Sequence, residues 1–142
     1  MKAPAVQIKE ALVDYLRNVC GDFTLPIPQE QVRGILDLTG TQKDAYGIIV
    51  NCSDLGDHAG NTGRILVDCR PEICVYTHLN EDASGELLDA LVADVLDAMV
   101  GVQYHLEGWK VCWNGNWQIT DTNVEGAYRQ SILSATLPLN RI

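Results

Sequence analysis

The residues best suited to chemistry in this chain are five cysteines (Cys20, Cys52, Cys69, Cys74, Cys112) and three histidines (His58, His78, His105). A zinc-type site needs donors paired at short spacing, as C-x-x-C or H-x-x-x-H, so that one segment presents two ligands to one ion. Neither spacing occurs. Cys69 and Cys74 bracket a proline, and the histidines fall in separate segments. The expectation is buried thiols and surface imidazoles, with no metal and no cofactor. An odd, irregularly spaced set of cysteines is also not a secreted disulfide framework, so reduced cytosolic thiols are expected. Cys52, Cys74 and Cys112 each lie in an apolar, strand-like run, where a free thiol behaves as a small core residue.

Other chemistry is tested the same way. The stretch "SDLGDHAGNTG" is rich in glycine, but no Lys-Ser/Thr follows its last glycine, so it is not a phosphate cradle. Asp54, Asp57 and His58 within it miss the alternating order of a calcium loop. Glu81, Asp82 and Glu86 could form an acid–base pair, yet acidic residues are equally expected at a helix N-terminus, where the dipole favours negative charge. Ser84-Gly85 lacks the G-x-S-x-G frame of a nucleophile elbow. No catalytic residue is expected. Trp109, Trp113 and Trp117 are expected to pack in the core or on a sheet face, the alternative being anchors of a protein interface.

The elements that would position these residues follow from periodicity and turn signals. From Pro4 to Val19 the apolar residues Ile8, Leu12, Tyr15, Leu16 and Val19 recur at helical spacing, with Pro4 suited to the first turn and Gly21 to the position past the end. Pro26 and Pro28 imply an edge or a strap-like connection. "YGIIVNC" predicts a short buried strand leading into the glycine-rich loop. "RILVDCRPEICVYTHL" predicts either a tight hairpin at Arg70-Pro71-Glu72 or one strand with a bulge at Pro71. "EDASGELLDALVADVLDAMVG" predicts an amphipathic helix capped by Asp82 or Ser84 and closed by Gly101.

In the last third, "GWKVCWNGNWQI" predicts a hairpin with a three-residue Asn114-Gly115-Asn116 turn. That register sets Trp113 against Trp117 and Val111 against Ile119, with Asn116 left-handed. "TDTNVEG" reads as a turn, followed by one long closing strand. Its first face carries Arg129, Ser131, Leu133, Ala135, Leu137 and Leu139, and its second Tyr128, Gln130, Ile132, Ser134 and Thr136. The fold class expected is α+β, a single domain over 1–142 with two helices packed on one face of a mixed or mainly antiparallel sheet.

The bulk numbers bound the function. With 142 residues and a hydrophobic fraction of 46%, the chain can bury an ordinary core. No apolar run reaches the length of about twenty residues that a membrane helix needs. Gln7, Lys9, Glu10 and Asp14 interrupt the N-terminal apolar residues, which argues for an amphipathic helix over a signal core and for residence where the chain is made. A net charge of −9 with scattered basic residues argues against nucleic-acid binding, which needs clustered Lys and Arg.

An N-terminal helix of the type "IKEALVDYL", a proline-broken extended segment, a central strand pair, the acidic helix "ELLDALVADVLDAMV" and the closing "GWKVCWNGNWQITDTNVEGAYRQSILSATLPLN" make a layout with a likeness. It resembles the tail terminator (tail completion) proteins of long-tailed bacteriophages, the group typified by the minor tail protein U of phage lambda. The resemblance lies in length, element order and the final Tyr-Arg-then-apolar strand. It implies a non-enzymatic homo-oligomeric ring, typically a hexamer, with two partners: the tail tube protein and the head-completion or connector protein. It implies assembly in the cytoplasm of a bacterial host and a final place in the tail or neck of a virion. The five cysteines and the Gly56–Gly63 loop depart from that pattern. The alternatives are another head–tail joining or bacterial α+β adaptor module, or a small cysteine- or carboxylate-dependent enzyme. The residues expected at subunit or tube contacts are Asp54, Asp57, His58 and Asn61 in the loop, and Arg129 and Gln130 on the closing strand.

Overall fold

The computed structural model describes residues 2–34, 44–59 and 65–142, by backbone alone at 56–59 and 65–66. Helix α1 spans Pro4–Val19, with Pro4 in its first turn, where a missing N–H costs nothing. Ile8, Leu12 and Leu16 form its fully buried stripe. Helix α2 spans Glu86–Met99 and buries Leu88, Leu91, Val92, Val95 and Met99. Tyr15 of α1 donates its hydroxyl to the carbonyl of Ala98, tying the two helices together. No helix among the described residues is long and apolar enough to cross a membrane.

Among the described residues, seven strands make one mixed sheet. β1 is Val32–Gly34, β2 Tyr46–Ala59, β3 Ile65–His78, β4 Trp109–Val111, β5 Gln118–Glu125, β6 Tyr128–Ser134 and β7 Leu137–Arg141. The order is β1-β2-β3-β6-β5, while β7 also pairs with β3 and carries β4 outside it. Among the described residues, the β1–β2 ladder is parallel and the others are antiparallel. The fold is therefore α+β around a mixed sheet. Alternate residues of β3 (Val67, Cys69, Ile73, Val75) join Ile48 and Val50 of β2, Leu133 of β6 and Leu137 and Leu139 of β7 in one core cluster with the buried residues of both helices. Each such aliphatic side chain contributes about 1.5–3 kcal/mol of burial.

The structure alters the expected layout in several places. Arg70-Pro71-Glu72 is neither a hairpin turn nor a bulge: β3 runs straight through it, with Pro71 facing Cys52 in regular register. The closing segment is two strands instead of one. β6 ends at Ser134 and β7 begins at Leu137, both against β3 in unchanged register, and the break falls opposite Arg70 and Pro71. Proline has no N–H to donate, which makes that point the natural gap in the ladder. The expected core face nevertheless holds, since Leu133, Leu137 and Leu139 are fully buried.

The expected hairpin does not form. β4 pairs with β7, setting Val111 against Leu139, and β5 pairs with β6, setting Ile119 against Leu133. Trp113 and Trp117 are thus not cross-strand partners. The residues between β4 and β5 cross from one half of the sheet to the other over the β6–β7 break. Gly115, not Asn116, takes the left-handed conformation (φ 75°). A Cβ there would meet that of Ala135 at 2.9 Å, so glycine serves both the conformation and the close approach. "TDTNVEG" is not a turn either: Thr120–Glu125 belong to β5, and the chain reverses at Gly126 and Ala127.

The stretch after Cys52 also differs from the expected loop. β2 continues to Ala59, with a register shift between Asp54 and Asp57. Of the cysteines expected as core residues, Cys112 is exposed and Cys52 and Cys74 are half-buried, whereas Cys20 and Cys69 are fully buried. Trp109 is buried, Trp117 is half-buried and Trp113 is 53% exposed, so core packing describes only part of the tryptophan set.

Candidate assembly surface

Arg129 lies on β6 opposite Thr77 of β3 and Val124 of β5. Its guanidinium spends two donors on main chain: Nε reaches the carbonyl of Asp82 at 3.0 Å and Nη2 that of Ala83 at 2.8 Å. It therefore braces the segment that leads into α2. The Asp82 carboxylate, almost wholly buried, accepts from the Thr77 hydroxyl at 2.8 Å and from the backbone N–H groups of Leu87 and Leu88 at 3.1 and 3.0 Å. Burial alone would raise its pKa. The donors from Thr77, Leu88, Leu87 and Gly85 outweigh that and hold it below the usual carboxylate value. Ser84 adds a weaker cap, 3.4 Å from the N–H of Glu86. Both expected caps are thus used, although Gly85 occupies the N-cap position itself.

Gln130 points to the opposite face of β6 and is also buried. It donates to the Glu125 carboxylate at 3.1 Å and accepts from the Cys74 thiol at 3.7 Å. Asp54 is exposed on β2, opposite Cys69. Asp57 and His58 face Val67 and Leu66 in the same ladder by backbone, and Asn61 lies outside the described residues. The fold does not gather these candidates. The row of Arg129 crosses β3 at Thr77 and meets β2 at Tyr46, eight residues from Asp54, or roughly 26 Å at the rise of a strand.

What the sequence reading missed is β5. Among the described residues it pairs only with β6, and all its side chains except Asn123 are exposed. Ile119 and Val124 are 50% and 55% exposed. An odd separation of five would put them on opposite faces of a regular strand. Here the ladder steps from Ile119↔Leu133 to Asp121↔Ile132, so Thr120 is an extra residue. Its hydroxyl is anchored on the Ile132 carbonyl at 3.2 Å. The bulge brings Ile119, Thr122 and Val124 onto one face, that of Leu133, and Thr122 meets the Ser131 hydroxyl there at 3.1 Å. Gln118, Asp121, Asn123 and Glu125 take the other face. The alternation signal that finds regular strands is broken by this bulge, which is why the stretch reads as a turn.

At the far edge of the sheet, among the described residues, β1 pairs with Ile48–Val50 of β2, and Leu55 is exposed further along. On the same side of the sheet as β5, Trp113 overhangs a shallow concavity of about 360 Å³ shared with Arg70, Glu72, Gln118 and Thr136.

The thiols range from the buried Cys20 and Cys69 to the exposed Cys112. The hydrogen bond with Cys69, burial, and the nearby Asp54 and Glu72 carboxylates all push the Cys52 thiol up, which makes it a poor nucleophile. Among the described residues no three Cys, His, Asp or Glu side chains form a metal-binding group. No protein-family model matches this chain, and no curated protein sequence matches it.

Proposed function

We propose that this chain is a structural subunit of a bacteriophage or prophage tail, a tail-terminator-like protein. In this reading it assembles into a ring, caps the tail tube, stops its polymerisation and offers a surface to the head-completion protein. The observation that carries the reading is that, among the described residues, the sheet ends on two dissimilar edges: β2, paired over a short stretch by β1, on one side and the exposed β5 on the other. Open strand edges are a liability in a lone molecule and an asset in a ring. Two different surfaces that meet head to tail close into a ring when the rotation between copies permits.

The reading takes both helices to pack on one face of the sheet, because their buried residues share one cluster with alternate residues of β3. A net charge of −9 suits a channel through which DNA passes without adhering. The subunit acts by shape and contact, with no catalytic step, and assembles in the cytoplasm of its bacterial host.

Electron microscopy of the full chain, alone and mixed with a tail tube protein from the genome that encodes it, tests this. Rings seated on tube ends and an arrest of tube lengthening are expected. Tubes that keep growing with bare ends would overturn the proposal, and binding at the head face alone would favour a head–tail joining adaptor.

A further inference from the structure

The outer edge of β5 is self-complementary, and we infer that it pairs antiparallel with β5 of a second copy about a two-fold axis through Thr122. In an antiparallel pair, facing residues project to the same side of the sheet, so the axis must pass through a residue. With the axis at Thr122 and Thr120 looped out as the bulge, Thr122 faces Thr122 of the second copy. Asp121 then faces Asn123, Ile119 faces Val124 and Gln118 faces Glu125, each pair occurring twice. Every pair matches in character: an amide meets a carboxylate, an aliphatic residue meets an aliphatic one, and hydroxyl meets hydroxyl.

Neighbouring registers fail on charge. An axis at Asp121 sets that carboxylate against itself. An axis at Asn123 sets Asp121 against Glu125 twice. The bulge is what makes the matching register possible, because only with Thr120 excluded do Ile119 and Val124 share a face. Both side chains are half-exposed in the single chain, and β5 has no outer partner among the described residues. Pairing would bury them and satisfy the outward-facing backbone groups together.

This goes beyond the ring reading. A two-fold contact does not by itself close a head-to-tail ring. It describes the free chain, in which the long edge is covered by a second copy and must be released before β5 can serve another contact.

The test is sedimentation equilibrium of the full chain. Wild type is expected to be a dimer. Asn123→Asp places two like-charge pairs across the axis and should raise the dimer Kd by about tenfold or more. Adding Asp121→Asn exchanges the two residues and should restore wild-type association at unchanged net charge. Ile119→Lys should give a monomer, and Ile119→Lys with Val124→Glu should dimerise again through opposite charges. The second pair of variants serves if circular dichroism shows that Asn123→Asp does not fold. A larger species that responds to both exchanges still contains the contact and supports the inference. A wild-type monomer up to about 1 mM overturns it. So does association indifferent to the single substitutions, or a double variant that fails to recover. A monomeric wild type would overturn the dimer and leave the tube-capping proposal standing, and a wild type that fails to cap tubes would leave the dimer standing, so the two proposals fail separately.

Discussion

Arg129 grips Asp82 by its carbonyl, at 3.0 Å, while the carboxylate of the same Asp82 turns inward to cap α2. One residue thus joins the strand that closes the sheet to the helix that covers it. Arg129→Ala removes two charge-assisted bonds to main chain and is expected to cost about 1–3 kcal/mol in urea unfolding. Faster amide hydrogen exchange at Leu87 and Leu88 should accompany it. Arg129→Glu should destabilise further, so a change in assembly counts as a contact effect only if it exceeds the stability loss. Unchanged assembly would remove Arg129 from the interface.

Asp82 sets an acid limit on stability. Its folded pKa lies below the ordinary value of 3.8, so the unfolded chain takes up the proton first. Its contribution is fully present above that ordinary value and is lost as pH falls through the folded one. Unfolding free energy followed downward from pH 6 should therefore drop below about pH 4. Asp82→Asn should flatten that drop. Asp82→Ala leaves the Thr77 hydroxyl and two helix N–H groups without their acceptor in a buried site, and should cost about 2–4 kcal/mol.

Two glycines answer to space, and Gly115 to conformation as well. A methyl at Gly115 would stand 2.9 Å from the Cβ of Ala135 on a backbone at φ 75°. One at Gly47 would stand 2.5 Å from the Tyr76 hydroxyl and 2.7 Å from the Gln31 carbonyl. Alanine at either position should cost about 1–3 kcal/mol, read as a lower urea midpoint at unchanged slope. At Gly47 the clash also disturbs the buried Tyr76 phenol, whose pKa burial and the nearby Asp44 push up to about 12. Spectroscopic titration of Gly47→Ala should therefore show one tyrosine titrating at lower pH than in wild type.

The thiols should separate by access. Cys112 is exposed, whereas Cys20 and Cys69 are fully buried. Maleimide at neutral pH is expected to label Cys112 first, with Cys20 and Cys69 reacting only after denaturation, as mapped by peptide mass spectrometry. Rapid labelling of Cys52 in the folded chain would contradict the raised pKa and reopen cysteine chemistry.

Some of this architecture is written locally. The helix from Pro4 to Val19, the acidic helix and its Asp82 and Ser84 caps, and the buried Leu133, Leu137 and Leu139 of the closing segment follow from the sequence by itself. Each depends on residues within a turn or two of one another, so periodicity and capping suffice. Partner choice does not work that way. An alternating strand specifies a face and not a neighbour, and β4 and β5 both found better partners than each other in β7 and β6.

The same limit hid the candidate surface. Arg129 and Gln130 are conspicuous in sequence, but the fold turns one to the α2 entry and buries the other, with its amide on the exposed carboxylate of Glu125. Ile119 and Val124 look like parts of different elements until a single extra residue, Thr120, sets them side by side. A bulge is decided by the ladder it interrupts, and that ladder joins segments distant enough that only the tertiary structure can pair them.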